Sequence, residues 1–438
     1  MVEERSVIKI MPRIATFAET DRGGAGLSAL KLNLALREMG LDARLYVNRK
    51  ASGEPSVYEL PTKPGRFGSE FRVGQYKCKD NDLPMTTGLS VKYVSHLEAI
   101  WEWSDCILLR WVSTVLPDWL IGFWSAKNKP VVWCLSDMAP LTGGCHYSMG
   151  CDQYELGCSG CEMAPSHLQF LPREVYKRRK RLWRNLTIVS PSRWLEDVAS
   201  NSGITKGKDI RLIRTGVELD VFRPEAASSS TRRSLNLDGK KVIFFGAGSL
   251  SDPRKGGKYL APIVNALNDR MGLRGKYIVV APGYNPSVIK DLNCESRALG
   301  HIDDRAELAA VKASSDLTLL PYVEDNLPNV ALESLACGTP VCAFAVGGLK
   351  DVIEDDVNGY LAKPFDVWDL SSKVAKALAD PLDSCKVRAW AEANLDVRQQ
   401  AERYVSLFEE LLSKKELGEN GLRGPEAQKG GMPYAAHG

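Results

Sequence analysis

Two adjacent cations stand in a glycine-rich segment that is well placed to bind a phosphate. Arg254 and Lys255 follow the apolar run 242–245 and the turn around Gly248, and a segment with helical periodicity comes next. In open α/β sheets, ligands bind beyond the carboxyl ends of the strands. Two cations there could neutralise a diphosphate without a metal ion. The alternative is a solvated basic pair in a loop.

Two further segments place small or acidic residues at a predicted helix start. Gly24 and Gly26 lie between a strand-like and a helix-like segment, where free backbone N–H groups suit a phosphate or an acceptor oxygen. The alternative there is a tight turn without a ligand. Further along, Asp325 precedes a helix and Glu333 lies inside it, so both carboxylates could face one cleft and accept hydrogen bonds from hydroxyl groups. Two surface acids are the alternative.

Four cysteines with the spacing C-x5-C-x6-C-x2-C form a separate cluster: Cys145, Cys151, Cys158 and Cys161. Four thiolates at short spacing suit a structural zinc ion. A reducing compartment disfavours disulfides. Structural zinc is the hypothesis that we carry forward, and free thiols and disulfide bonds are its alternatives.

Apolar runs alternate with amphipathic segments along the whole chain. The predicted strands lie at 8–18, 41–47, 106–112, 131–135, 186–189, 242–245, 277–281, 317–322 and 341–345, and the predicted helices at 27–39, 257–270, 305–314, 329–337 and 396–415. This alternation predicts parallel sheets with helices on both faces. The strands are too many for one ordinary sheet, so we expect an α/β protein with two doubly wound domains.

The segment around Glu333 resembles the signature of the retaining glycosyltransferases of GT-B fold, family four. In that family two Glu residues separated by seven others precede a small-apolar-Cys-Gly-x-Pro-Val run, which residues 333–341 (ESLACGTPV) match closely. Other segments that resemble the family lie in its order, at 190–195, 214–224 (RTGVELDVFRP), 254–256, 347–348 and 358–361. The resemblance covers residues 8 to about 412. The cysteine cluster is similar to the cysteine-containing insertion of polysaccharide-assembly members, of the colanic-acid or exopolysaccharide type.

The resemblance implies the GT-B architecture, two Rossmann-like domains with an interdomain cleft, and a role for each matching residue. Glu333 should hold the ribose of a nucleoside diphosphate sugar, and Arg254 and Lys255 its diphosphate. The other residues that should contact or border the donor are Gly24, Gly26, Gly248, Gly300, His301, Asp325, Asn326 and Leu327. The mechanism implied is front-face substitution, in which the leaving phosphate helps to deprotonate the acceptor.

Two residues depart from the family pattern. Asp325 stands where the family has its first Glu, which predicts a changed donor-sugar preference or weaker activity. Ser136 precedes Asp137 where the family often has His-Asp, which bears on the acceptor side of the reaction. Asp137 is a candidate for contact with the acceptor or donor, and capping of a turn is the equal alternative.

These inferences define an expected domain order. Residues 1–218 should form an acceptor-side domain with a cysteine-rich insertion at 144–164, and residues 225–390 the domain that binds the nucleotide sugar. Residues 391–415 should form a helix that packs back on the first domain, and residues 416–438 a disordered tail.

The expected function is retaining transfer of a hexosyl-type sugar to a hydroxyl of a glycan or lipid-linked glycan, in the biosynthesis of a cell-surface polysaccharide. No cofactor is expected for catalysis. The alternatives are a nucleotide-sugar epimerase of the same fold and a non-catalytic protein that binds a nucleotide sugar.

Charge and hydropathy limit the partners and the location. A net charge of +3 over 438 residues argues against nucleic acid as a partner. The basic stretch 173–184 could attract an anionic membrane surface, and a solvated helix face is at least an equal alternative. The first ten residues have no basic segment typical of a signal peptide. We therefore expect a cytoplasmic protein with peripheral contact at the inner face of the membrane.

Overall fold

The computed structural model describes residues 11–61, 75–79, 84–87, 94–227, 229–237 and 239–421. The predicted start of the chain and most of the predicted tail, residues 422–438, lie outside these ranges. Within them, two large parallel sheets occupy the two halves of the chain. Each sheet is covered by helices, as the alternation of apolar runs predicts.

The N-terminal half is built on a seven-stranded sheet with the order β3-β2-β1-β6-β7-β8-β9. Its strands are β1 (Arg13–Thr20), β2 (Asp42–Arg49), β3 (Val57–Glu59), β6 (Cys106–Leu109), β7 (Val131–Cys134), β8 (Leu186–Ser190) and β9 (Asp209–Leu212), and a separate antiparallel pair is formed by β4 (Gln75–Lys77) and β5 (Pro84–Thr86). Its helices are α1 (Gly23–Glu38), α2 (Val94–Trp103), α3 (Asp118–Ser125), α4 (Gln153–Leu156), α5 (Leu171–Leu182) and α6 (Arg193–Asn201).

The C-terminal half is built on a six-stranded sheet with the order β12-β11-β10-β13-β14-β15. Its strands are β10 (Lys241–Phe244), β11 (Tyr277–Pro282), β12 (Glu295–Gly300), β13 (Leu317–Leu320), β14 (Val341–Phe344) and β15 (Gly359–Ala362). The remaining helices are α7 (Ser229–Ser234), α8 (Leu260–Asp269), α9 (Ser287–Lys290), α10 (Arg305–Ala313), α11 (Asn329–Ala336), α12 (Val367–Ala379), α13 (Ser384–Leu395) and α14 (Val397–Gly421).

The strand order of each sheet reverses at its first strand. In the N-terminal sheet β1 lies between β2 and β6, and in the C-terminal sheet β10 lies between β11 and β13. The central strands β6, β7, β13 and β14 are buried along their full length, which is typical of parallel strands covered on both faces. A crevice forms where the strand order reverses, at the carboxyl ends of the strands, and this is where such sheets bind ligands.

The last helix returns the chain to the N-terminal half. The backbone of Val217 accepts from the N–H of Val397 at 3.2 Å and donates to Leu395 at 2.7 Å, so the two crossings between the halves lie side by side. Tyr404 and Phe408 of α14 are fully buried in the N-terminal core, where α14 packs along α1.

The fold class predicted from the sequence is confirmed, and some predicted bounds are wrong. The first helix begins at Gly23 rather than at residue 27, because the glycine segment forms the first helical turn. The strand predicted at 106–112 ends at Leu109, where the chain turns into the cleft. The last helix continues to Gly421 instead of ending at residue 415, since residues 411–417 are mostly good helix formers. Of the helices described, none is both long and apolar enough to span a bilayer.

Candidate active site in the interdomain cleft

The loop after β10 brings the two predicted phosphate-binding cations to the reversal point of the C-terminal sheet. Asp252 accepts from the backbone N–H of Arg254 at 3.0 Å and from its guanidinium at 2.7 Å. Gly256 follows with φ +67°, and a Cβ there would lie 1.7 Å from the carbonyl oxygen of Pro321, so the loop requires glycine at this position. The Lys255 ammonium consequently reaches the loop that follows β13.

In that loop the Asp325 carboxylate contacts polar groups from several parts of the site. Its carboxylate forms an ion pair with Lys255 and accepts hydrogen bonds from the Asn326 N–H at 2.9 Å and the Tyr147 hydroxyl at 3.3 Å. Burial by itself would raise the pKa of this carboxyl, but the charges of Lys255 and Arg254 outweigh burial and hold the pKa below its ordinary value. Asp325 is therefore an anion that competes with any phosphate for the two cations.

The Arg254 guanidinium lies between the two halves of the protein. Its Cζ is 4.1 Å from the centre of the Tyr147 ring, which belongs to the N-terminal half. Its Nη1 is buried and has no hydrogen-bond partner among the residues that the structure describes, and the nearest carboxylate oxygen, on Asp325, is 4.0 Å away. A buried N–H group without an acceptor is unfavourable, and a phosphate oxygen in the cleft would supply one.

Glu333 lies inside α11, and the alternative of a surface acid is wrong for it. Its side chain is buried and one carboxylate oxygen accepts from Lys312 Nζ of α10 at 2.5 Å. Lys312 is itself buried. A buried ion pair of this kind fixes the orientation of both side chains, so Glu333 is held in place before any ligand binds.

Glu324, adjacent to Asp325, joins the same loop to the cysteine-rich insertion. Its carboxylate accepts from the N–H groups of Met149 at 2.6 Å and Ser148 at 3.3 Å. Burial raises the pKa of Glu324. The segment of the insertion between Cys145 and Cys151 is thereby attached to the C-terminal half.

Asn326 bridges the cleft through its side chain. Its amide oxygen accepts from Ser192 Oγ at 2.7 Å, and its amide nitrogen donates to the backbone carbonyl of Ser136 at 3.3 Å. Leu327, the next residue, is buried. The loop that begins with Asp325 therefore contacts the N-terminal half at the carboxyl ends of β7 and β8.

Asn329, the first residue of α11, makes the contact with the glycine segment. Its side chain donates to the carbonyl oxygen of Gly24 at 3.1 Å and accepts from Lys31 Nζ at 3.3 Å. Burial lowers the pKa of Lys31 to about 8. A Cβ on Gly26 would lie 2.4 Å from the Thr20 carbonyl oxygen, so this glycine allows α1 to start directly against β1.

Three residues predicted to border the donor lie at the outer end of the cleft. Gly300 ends β12 with φ +70°, and the ring of the following His301 stacks on Tyr284 at 4.4 Å and 12°. Gly248 accepts from the backbone N–H of Tyr284 at 3.0 Å. Tyr284 is exposed, so this corner presents a flat aromatic surface next to the glycine loop.

Asp137 both caps a turn and makes side-chain contacts. One carboxylate oxygen accepts from the Ala139 N–H at 2.9 Å, as the capping alternative requires. The other accepts from Trp111 Nε1 at 2.8 Å and lies 2.5 Å from His146 Nδ1. The structure thus combines the cap with a buried polar group at the carboxyl end of β7.

The four predicted cysteines share one cavity of about 640 Å³. Its other sulfur-bearing residues are Met85, Met149 and Met163, and a fifth cysteine, Cys78, packs in the same cluster as Cys145 and Cys161. As the side chains are placed, no three His, Cys, Asp or Glu residues in the described ranges are arranged to hold a metal ion. The zinc site stays a prediction.

The basic stretch is an amphipathic helix, α5, and one of its cations is part of the core. Arg179 is buried, pairs with Asp118 of α3 at 3.1 Å and donates to two backbone carbonyls. The exposed cations of the segment are Arg173, Lys177, Lys180, Arg181 and Arg184. On the neighbouring helix α3, Trp119 and Phe123 are 43% and 54% exposed.

Sequence reasoning missed several residues of this site. Tyr147, Asn329 and Lys312 each contact a predicted residue from an element far away in the chain. Only Tyr147 carried a signal, since it lies in the cysteine-rich insertion. No sequence pattern indicated the contacts of Asn329 and Lys312, because these contacts depend on how elements pack.

The site and the fold define a class of protein. Two doubly wound parallel sheets face each other across a cleft, with a basic pair, an acidic strand-to-helix loop and a buried glutamate at the reversal point of the second sheet. This is the two-domain GT-B architecture.

Comparison with known proteins agrees with that class. Residues 239–380 match the family model of glycosyl transferases group 1. The chain is 27% identical over 381 residues to a D-inositol 3-phosphate glycosyltransferase of Thermobispora bispora, covering 82% of this chain and 83% of the relative. It is 26% identical over 375 residues to the protein of that name in Mycolicibacterium smegmatis, covering 82% and 79%.

Solved structures show the same fold at low sequence identity. Sucrose-phosphate synthase from Thermosynechococcus elongatus superposes with a TM-score of 0.69 at 18% identity, over 92% of this chain and 100% of that chain. Anabaena HepE, in complex with UDP and glucose, superposes with a TM-score of 0.63 at 15% identity, over 91% and 99%. The comparisons thus show the GT-B fold over most of the chain and a match to group 1 glycosyl transferases over residues 239–380.

Proposed function

We propose that this protein is a retaining glycosyltransferase that moves a sugar from a nucleoside diphosphate sugar to a hydroxyl of a glycan or lipid-linked glycan. The observation that carries the proposal is the buried, unpartnered Nη1 of Arg254 beside Lys255, at the reversal point of the sheet. A donor diphosphate placed there would accept from both cations. The matching of residues 239–380 to group 1 glycosyltransferases supports the same assignment.

The cations would act on the charge that develops during transfer. In the reaction the acceptor oxygen bonds to the anomeric carbon, the bond from that carbon to the diphosphate breaks, and the acceptor proton passes to a phosphate oxygen on the same face. Negative charge accumulates on the leaving diphosphate, and groups held in advance around that position lower the barrier. Lys255 would exchange its ion pair with Asp325 for the phosphate as the donor binds.

A lipid-linked acceptor and a role in the assembly of a cell-surface polysaccharide are part of the proposal. Helix α5, which carries exposed cations, packs against helix α3, which carries the exposed aromatic side chains of Trp119 and Phe123. Cations attract anionic headgroups, and aromatic side chains favour the membrane interface. The N-terminal half would thus meet a membrane that carries the acceptor.

The test is thermal unfolding of the purified protein against UDP-, GDP-, ADP- and CDP-sugars and the matching nucleoside diphosphates. A ligand that binds only the folded protein raises the unfolding midpoint. We expect a shift with one nucleotide family, and loss of that shift in the Arg254→Gln variant. With the donor identified, sugar transfer and anomeric configuration are followed by NMR.

Each contrary outcome has a distinct meaning. A folded protein that responds to no nucleotide contradicts the proposal. Conversion of the donor sugar without an acceptor would identify an epimerase, and a donor that stays intact with every acceptor, including D-inositol 3-phosphate, would indicate a binding protein.

A further inference from the structure

A buried histidine beside the cleft has one ring nitrogen without a partner. His146 is 4% exposed, and its Nδ1 lies 2.5 Å from Asp137 Oδ2. Its Nε2 is buried and makes no hydrogen bond with any residue that the structure describes. Buried polar atoms are almost always hydrogen-bonded, so we expect Nε2 to form a hydrogen bond with a group outside the described residues.

The contacts of Nδ1 determine what Nε2 can do. Trp111 Nε1 donates to the same Asp137 oxygen at 2.8 Å and lies farther, at 3.2 Å, from His146 Nδ1. The Ala139 N–H donates to the other oxygen, so the carboxylate has a fixed position and is the shorter contact of Nδ1. A carboxylate only accepts hydrogen bonds, so the proton of a neutral imidazole lies on Nδ1. Nε2 then carries a lone pair and accepts a hydrogen bond from a hydroxyl group.

The neighbours of His146 place this lone pair close to the donor site. Tyr147, the next residue, covers the Arg254 guanidinium and donates to Asp325. Ser136 Oγ is a second buried atom with no partner in the described part of the chain, and the carbonyl of Ser136 is bonded by Asn326. Both halves of the protein thus contribute a buried polar atom without a partner in the described residues to this region: Arg254 Nη1 from the C-terminal half, and Ser136 Oγ and His146 Nε2 from the N-terminal half.

We propose that His146 Nε2 accepts a hydrogen bond from a hydroxyl of the sugar on the donor, and that Asp137 is the positioning residue that sets its tautomer. The proposal rests on the proposed function, because Arg254 is taken to mark the diphosphate to which that sugar is attached. His146 would then help to select the donor sugar by a contact that the bare nucleoside diphosphate does not make.

Two variants of His146 test the roles of its Nδ1 and Nε2 atoms separately. In His146→Asn the amide nitrogen takes the place of Nδ1, so donation to Asp137 is kept and the Nε2 acceptor is lost. In His146→Gln the amide oxygen reaches the place of Nε2. The exposed His167, changed to Asn, is the matched control.

The measurement is calorimetric binding of UDP and UDP-glucose, GDP and GDP-mannose, and ADP and ADP-glucose to each protein. In each pair, the Kd of the nucleoside diphosphate divided by the Kd of its sugar derivative gives the affinity contributed by the sugar. We expect His146→Asn to reduce this ratio about tenfold while binding of the nucleoside diphosphate stays unchanged. We expect His146→Gln to recover most of the ratio and His167→Asn to match the parent.

A measurement on the parent protein covers the case in which His146→Asn does not fold. Among the deoxy forms of the bound donor sugar, one should lose about tenfold in affinity relative to the parent sugar. The same deoxy form should show most of this loss in His146→Gln, because the amide oxygen takes the place of Nε2. An unchanged sugar ratio in folded His146→Asn, or equal affinity for all deoxy forms, overturns the role of His146 alone. A parent protein that binds none of these nucleotides overturns the proposed function as well.

Discussion

Asp325 occupies the contact with Lys255 that a donor phosphate would take under the proposed function. The ammonium pairs with the carboxylate and also lies 4.3 Å from the centre of the Tyr322 ring. This ion pair compensates both charges in a buried site.

Replacing Lys255 by Ala should reduce turnover by a factor on the order of 10² to 10³. The reason is the loss of a cation at the position where charge develops on the leaving diphosphate. Initial rates with the donor identified by thermal unfolding measure the effect.

Lys258→Ala is the control for Lys255→Ala, since Lys258 is an exposed cation three residues further along. It should retain the activity of the parent protein. Turnover close to that of the parent in folded Lys255→Ala would rule out the assigned role.

At the scale of elements, helix α5 carries a buried cation on one face and exposed cations on the other. Residues on the face toward α3 enter the core, where Arg179 pairs with Asp118, while the opposite face presents Lys177 and Lys180 to solvent. The helical period decides which charge falls on which face. A charge reversal at Arg179 would leave Asp118 buried beside a like charge, so it would test stability and not membrane binding.

Lys177→Glu combined with Lys180→Glu should weaken pelleting with vesicles that contain anionic lipid by at least about tenfold. Each cation near such a surface contributes ~1 kcal/mol to binding. Sedimentation with vesicles of increasing anionic content measures it. The double variant Lys363→Glu and Lys386→Glu, with exposed lysines of the C-terminal half, should bind as the parent does. A parent protein that does not pellet with these vesicles contradicts the membrane proposal.

One segment of the cysteine-rich insertion both lines the cavity and contacts the C-terminal half. Ser148 and Met149 line the cavity together with Cys145 and Cys151 and donate to Glu324 across the cleft. An ion that joined the cysteines would therefore also fix the segment that contacts the C-terminal half.

We predict about one zinc ion per chain in protein purified without chelator, measured by elemental analysis. Cys151→Ser with Cys161→Ser should remove it and lower the unfolding midpoint, because thiolate ligands contribute directly to folding. Cys385→Ser, at an exposed position away from the cavity, should keep the metal. Parent protein without stoichiometric zinc would show that the cysteines act as free thiols or in another way.

At the scale of the whole molecule, the two halves meet through polar groups. The contacts described across the cleft include the packing of Arg254 on Tyr147 and hydrogen bonds of four residues: Glu324, Asp325, Asn326 and Asn329. Polar interfaces between domains permit relative motion more readily than apolar ones. The paired crossings near Val217 and α14 form the covalent connection about which such motion would take place.

Much of this arrangement was accessible from the sequence. The alternation of apolar runs gave the two parallel sheets, and the glycine loop before Arg254 and the acidic loop at Asp325 were placed at the carboxyl ends of their strands. These features depend on local pattern, because side-chain period and turn residues determine strand, helix and loop. The sequence predicted the ends of elements less accurately: the last helix, expected to end at residue 415, continues to Gly421.

What the sequence by itself determined is the order of the elements and the kinds of group that each loop carries. Only the tertiary structure decided the partners: Lys312 for Glu333, His146 for Asp137, and Tyr147 for Arg254. The physical reason is that hydrogen bonds and ion pairs require atoms within about 3–4 Å. Residues far apart in the chain reach that distance only after helices and sheets have packed, and no local pattern records which faces will meet.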